Sequence, residues 1–256
     1  MNIKNRIPFI FIEMGKLYVN NGQLTTEKAG IKEIIDPVDF CCVVLGKGTS
    51  ITQDAVKMLQ KTRTLLFFSG YKMSSIMMYS TSFHAGSLRN TQRILSNNNR
   101  SQVKIAKKLI KYRNSMLPSM LQPMKINFTK INEALQNEAV WTKKTYKIMS
   151  RVSGQQWISK KYANQNRHPM ILINKLLYSL SLIAIISLGL DPSLGVLHTK
   201  RRDMGLVFDL ADVFKPKISW EPAFLNKGDE KIVWGLINEL QIFKKMIMIL
   251  EDIYRR

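Results

Sequence analysis

Up to about residue 80 the apolar residues come in short runs divided by turn residues, and beyond about residue 85 they recur every third or fourth position. The runs FIFIE, KLYVNNGQL, CCVVLG and TLLFFSGYK read as strands, with the NNG at 20–22 a hairpin turn whose Asn and Gly accept positive φ. Between two of them LGKGTSITQDAVKMLQKT reads as a strand end followed by a capped helix with Asp54 in its first turn. Its glycine pair is weak evidence for phosphate binding, since the usual Lys-Ser/Thr is absent. In the later part QVKIAKKLIKYRNSML, FTKINEALQNEAVWTKKTYKIMSRVSG and KIVWGLINELQIFKKMIMILEDIYRR carry the helical period. The last is expected to be one helix, with Ile232, Leu236, Leu240, Phe243, Ile247 and Leu250 along one stripe. SKKYANQNRHP at 159–169 reads as a loop, and Pro169 opens an apolar helix. The pattern predicts an α+β chain: a small N-terminal β domain over 1–80, then a larger all-α domain over 81–256.

Composition narrows the function. Apolar residues make up 45% and aromatics 9%, which excludes a disordered chain. Lys plus Arg number 39 against 18 acids, the balance of a phosphate-neutralising protein. Residues 85–256 hold 29 of those cations against 12 acids, and residues 1–84 hold 10 against 6, so DNA is expected mainly on the helical part. A basic chain also suits a membrane surface, and residues 171–190 are long enough to span a bilayer. That segment carries Asn174, Lys175 and several serines and stands alone, so a buried core helix is the expectation. No secretory signal is visible at the amino terminus, which makes the cytoplasm the expected compartment. The two cysteines, Cys41 and Cys42, are neighbours that a strand would point to opposite faces, so buried thiols rather than a disulfide are expected.

The acids are more informative. Between Asp54 and Asp191 the only ones are Glu133 and Glu138. A phosphate-binding face avoids carboxylates unless they hold a divalent cation that bridges to the phosphate. Farther on, LGVLHTKRRDMGLVFDLAD places His198 at the end of a turn and sets Asp209 and Asp212 three apart, on one face if VFDLADVF is helical. One Glu, one His and one or two Asp form an oxygen-and-nitrogen donor set suited to Mg²⁺ or Mn²⁺. Plainer roles compete: a hydrogen-bonded structural histidine, helix caps, or ion pairs of the aspartates with Lys200, Arg201 or Arg202. His84 and His168 receive no chemical role.

Four segments taken in order, FIEMGKLYVNNGQL, LGKGTSITQDAV, NEAVWTKKTYKIM and LGLDPSLGVLHTKRRDMGLVFDLADVFKPK, resemble the CRISPR-associated adaptation integrases, a family of spacer-integrating endonucleases. The most specific part is a GxxPxxGxxH run followed by a DxxD pair and Phe-Lys-Pro. The resemblance implies a homodimer built through the β domain and a catalytic helical domain with Mg²⁺ or Mn²⁺ held by Glu138, His198 and Asp212. Asp209 falls on a supporting acidic position, and Asn174 on an Asn that shapes the site or contacts DNA. Phe208 stands where some relatives carry Tyr, and the tail after KPK is short. Implied too are insertion of short double-stranded DNA fragments into a repeat array, by 3′-hydroxyl attack on a phosphodiester, and a small ferredoxin-like partner bridging two dimers. A casposon-type transposon integrase and an inactive DNA-binding protein are the alternatives. Lys200, Arg201 and Arg202 would hold phosphates near the site. The helix with Lys104, Lys107, Lys108, Lys111 and Arg113 is a second candidate phosphate track, unless it is simply a solvated face.

Overall fold

A computed structural model of the chain describes residues 3–69, 76–79, 87–154, 169–199 and 203–255. Two compact units divide it, Met1–Gly86 and Ser87–Arg256.

The first unit contains two four-stranded sheets. In chain order its strands are β1 (Ile10–Ile12), β2 (Lys16–Asn20), β3 (Gln23–Lys28), β4 (Ile31–Ile35), β5 (Cys42–Leu45) and β6 (Ser50–Ile51), then, after helix α1 (Gln53–Lys61), β7 (Leu65–Ser69) and β8 (Ile76–Tyr79). One sheet runs β1-β5-β7-β8, parallel except at the last pair. The other runs β4-β3-β2-β6, with both hairpins antiparallel. Asn21 and Gly22 take positive φ in the first hairpin turn, the backbone a two-residue loop needs to match strand twist. Leu17, Leu24, Val43, Leu45, Leu59 and Leu66 form the centre of a core that α1 closes, capped by Thr52 whose hydroxyl accepts from the Ala55 amide. Cys41 and Cys42 are both buried thiols outside any disulfide.

The second unit is helical: α2 (Ser87–Ser96), α3 (Asn99–Ser115), α4 (Ile131–Ser153), α5 (Pro169–Ser187), α6 (Gly205–Lys215), α7 (Glu221–Leu225), α8 (Glu230–Glu239) and α9 (Ile242–Tyr254), with a π-helical segment, Pro216–Trp220, joining α6 to α7. Helix α5 is long and apolar enough to cross a membrane by length and composition. It lies instead against α6 and α9 in the middle of the unit, burying Ile173, Leu177, Leu180 and Ala184. Local signals set the ends. Asn98 caps α3, the Glu133 carboxylate accepts from the Thr129 and Lys130 amides ahead of α4, and Gly154 ends α4 in the left-handed region.

Two expectations need correction. The C-terminal stretch is not one helix: the chain breaks between α8 and α9, where Gln241 adopts φ 50°. The break turns Phe243, Ile247 and Leu250 inward while leaving Ile232 39% exposed, so the supposed single stripe is two. Strand β4 has no counterpart among the runs read from sequence, because IKEII buries only Ile35 and is announced by Ala29-Gly30 rather than an Asn-Gly turn.

Candidate active site

Three elements of the helical unit converge on one buried cluster of charge. Helix α6 supplies Asp209, Asp212 and Lys215, helix α4 supplies Glu138, and the last turn of α3 supplies Arg113. The loop between α5 and α6 adds His198.

The placement of His198 follows from two glycines. A Cβ on Gly195 would meet the Gly205 carbonyl carbon at 2.5 Å, and a Cβ on Gly205 would meet the His198 carbonyl oxygen at 2.9 Å. Only a pair without side chains lets the loop cross the first turn of α6 this closely. The Leu206 amide donates to the Pro192 carbonyl, and the Gln92 side chain of α2 clamps the Asp191 backbone through both N–H and C=O. Asp209, fully buried, then gathers the loop: its carboxylate accepts from the Val196, Leu197 and His198 amides. It also lies 2.8 Å from His198 Nδ1. With Nδ1 bonded there, Nε2 is the ring nitrogen that faces Asp212 Oδ2, 3.7 Å away.

Asp212 is 8% exposed and ion-paired to Lys215, one turn on along α6, while Arg113 Nη2 lies 3.8 Å from its Oδ2. Arg113 Nη1 donates to Glu138 Oε1 at 2.5 Å, so a single guanidinium spans both carboxylates. Aromatic rings frame these charges. Trp141 lies 5.9 Å from the Arg113 guanidinium, and Tyr178 is 5.0 Å from the Lys215 ammonium. Phe208 meets Tyr178 edge-on and sits beside His198.

Burial alone would raise the Asp212 carboxyl, but Lys215, Arg113 and His198 outweigh it and hold it below its ordinary value. The same contest runs the other way at His198. Burial would lower the imidazole, yet the Asp209 hydrogen bond and the surrounding carboxylates leave its pKa raised. Lys215 is raised despite its burial, chiefly by Asp212. Nearby Tyr146 is pushed up to about 12, mainly by burial.

The sequence-predicted residues sort into three groups. Glu138, His198, Asp209 and Asp212 come together, and Asn174 lies on α5 one turn before Tyr178, buried, its Oδ1 without a hydrogen-bond partner among the described residues. Lys200, Arg201 and Arg202 lie outside the described residues. On α3 the expected track is only partly a free face: Lys104 and Lys111 are exposed, but Lys108 bonds Asp252, and Lys107 lies over the Phe128 ring. Arg113 is a correction, for it is buried in the cluster rather than on that track. One signal could have found it: the buried positions Ile105, Ala106, Leu109 and Ile110 continue at helical spacing onto Arg113, an arginine on an apolar stripe. Lys215, Tyr178, Trp141 and the Gly195–Gly205 crossing were also missed.

As donors, Glu138, Asp212 and His198 Nε2 fit a hard divalent cation in kind. Among the described residues, however, no three His, Cys, Asp or Glu side chains converge closely enough to hold a metal ion. Positive charge between the carboxylates comes from Arg113.

Residues 170–244, which carry α5, the His198 loop and α6, match the family described as CRISPR associated protein Cas1. Over that segment the chain is similar to Cas1 proteins. A Cas1 relative from Chlorobaculum tepidum, named CRISPR-associated endonuclease Cas1 2, is 26% identical over 240 residues, 89% of this chain and 77% of that protein. Among solved structures, a TtCas1–DNA complex matches with a TM-score of 0.75 at 19% identity, covering 99% of this chain and 98% of that one. A casposase bound to its integration product matches with a TM-score of 0.66 at 16% identity, covering 97% of this chain and 91% of that one. The α+β arrangement, strands first and helices after, is that of Cas1 structures.

Proposed function

We propose that this protein is a Cas1-type, metal-dependent DNA strand transferase that inserts short duplex fragments into a CRISPR repeat array. The observation that carries the reading is the meeting of Glu138, Asp212 and His198, from α4, α6 and the preceding loop, within one buried cluster flanked by Arg113 and Lys215. The 3′-hydroxyl oxygen of the fragment bonds to phosphorus of the target strand, the bond from that phosphorus to the departing 3′-oxygen breaks, and the proton lost by the attacking hydroxyl is balanced by one taken up on the leaving oxygen. One phosphodiester is made for each one broken, and water in place of the hydroxyl gives nuclease activity.

Glu138, His198 and Asp212 would hold a Mg²⁺ or Mn²⁺, which when bound would supply Lewis-acid charge for the scissile phosphate. The rest is the work of the chain. Asp209 fixes the His198 ring so that Nε2 faces the reacting side, and Lys215 offers an ammonium for charge that builds on the phosphoryl oxygens. Lys104 and Lys111, with Lys200, Arg201 and Arg202, hold backbone phosphates without reading bases. The β unit pairs two copies, a role supported by Ile31 and Ile34, 68% and 65% exposed on edge strand β4. A ferredoxin-like partner bridges two such dimers, in the cytoplasm.

The test incubates the full chain with a labelled duplex and a supercoiled plasmid carrying candidate repeats, with Mn²⁺, Mg²⁺ or chelator. Label joins the plasmid only with metal, and Glu138→Ala and His198→Ala abolish joining while DNA binding persists. Joining that survives both substitutions overturns the site assignment. Joining to any plasmid regardless of repeats favours the casposon-type alternative, and binding without joining under every metal, with the partner added, favours the binding-only one.

A further inference from the structure

Arg113 is 2% exposed and, among the described residues, is the one side chain ion-paired to Glu138 and Asp212 together. Those carboxylates stand on different helices, so the planar fork of the guanidinium is what holds them side by side. The cluster already holds cations close to its carboxylates: the Arg113 guanidinium and the Lys215 ammonium stand against Glu138, Asp212 and the fully buried Asp209, which bonds His198. A divalent cation arriving while both remain would leave the cluster with excess positive charge in a buried place, which low local dielectric makes expensive. One of the resident cations has to yield. Lys215 pairs with Asp212 from the next turn of the same helix. Arg113 instead stands between the two groups that a shared cation needs, and its Nε is buried with no hydrogen-bond partner among the described residues.

We propose that Arg113 is the counter-ion of the metal-free site, and that a divalent cation binds by taking the Glu138 and Asp212 carboxylates from its guanidinium. The proposal rests on the metal-dependent reading above. The exchange moves the guanidinium off the two carboxylates and away from its present place over the Trp141 ring, 5.9 Å from the ring centre, so metal entry is reported by that ring.

The experiment is calorimetric titration of Mn²⁺ into the full chain without DNA, for wild type, Arg113→Met and Arg113→Lys, each checked for fold by circular dichroism. With the competitor gone, Arg113→Met binds Mn²⁺ about tenfold more tightly, and Arg113→Lys, which keeps the charge but not the fork, falls between. Equal or weaker binding by a folded Arg113→Met overturns the proposal and makes Arg113 a clamp that pre-positions the carboxylates. No Mn²⁺ binding by wild type or variant overturns the metal-dependent reading itself, and this proposal with it. Should Arg113→Met fail to fold, wild type decides: Mg²⁺, which does not quench tryptophan, changes the emission at the concentration where it binds, and Trp141→Phe removes that change. Binding of Mg²⁺ with silent Trp141 emission overturns the exchange.

Discussion

The two faces of α3 treat positive charge in opposite ways. On one, Lys104 and Lys111 reach solvent and Lys108 pairs at the surface with Asp252. On the other, Ile105, Leu109 and Ile110 lead to Arg113, which is shut in with two carboxylates and an indole. The lysines cost little to leave in water and gain little from any protein partner. The arginine has given up its hydration, and only a complete set of partners offsets that loss. Composition counts all these cations alike, but one face is available to DNA and the other is committed to the site.

The sharpest way to break this contrast is to delete the buried charge. Arg113→Ala leaves Glu138 and Asp212 facing each other in a desolvated place, and denaturant unfolding should show a loss of about 3–5 kcal/mol. Lys104→Ala and Lys111→Ala should unfold like wild type, and comparable losses at all three positions would mean that the two faces do not differ. Next comes Gly195→Ala, which drives a methyl into the Gly205 backbone and pushes the His198 loop off α6. A stability loss of about 1–3 kcal/mol is expected, with strand transfer lost and DNA binding kept. Smaller effects belong to the outer face. If Lys104 or Lys111 contacts a phosphate, its replacement by Ala reduces the slope of log affinity against log salt by about 0.9, measured by fluorescence anisotropy, with no sequence preference. The smallest effect concerns Asp252, whose carboxyl the Lys108 and Tyr112 hydrogen bonds hold below its ordinary value. A lowered folded pKa contributes stability above the unfolded value of about 3.9, lost as pH falls through the folded one. Lys108→Ala should therefore move the Asp252 titration upward by NMR and shrink the acid-side stability loss, by less than about 1 kcal/mol given the exposure of the pair.

Much of this was legible in the sequence, for reasons that differ by region. Strands β1, β2, β3, β5 and β7 announced themselves through apolar runs and an Asn-Gly turn. Helices α3 and α4 did so through their period, and α1 through its cap. Strand β4 stayed hidden because an edge strand with one buried residue has no apolar pattern to show. The break at Gln241 was hidden because the helical period runs on almost unbroken through a left-handed residue that is neither Gly nor Asn. At the site, scarcity made the acids visible: Glu138 stands out where acids are few, and Asp209 and Asp212 share a face at spacing three. Their counter-ions were not visible, because in a chain with 39 Lys and Arg no single cation attracts notice until its burial is known. The division of labour between the two aspartates was also out of reach. Only the fold shows that Asp209 spends its carboxylate on three backbone amides and His198 Nδ1, while Asp212 faces Nε2, Lys215 and Arg113.

The crossing of Gly195 over Gly205 makes one cassette of the loop and the helix it rests on. His198, Asp209, Asp212 and Lys215 all belong to that piece, riveted at one end by two bare backbones and at the other by a buried carboxylate. Their mutual geometry is therefore set within some twenty consecutive residues and survives any shift of the cassette as a whole. What the rest of the helical unit must tune is the approach of just two visitors, Glu138 from α4 and Arg113 from α3. A small rocking of α6 against those helices would open or close the gap between the carboxylates without disturbing the histidine.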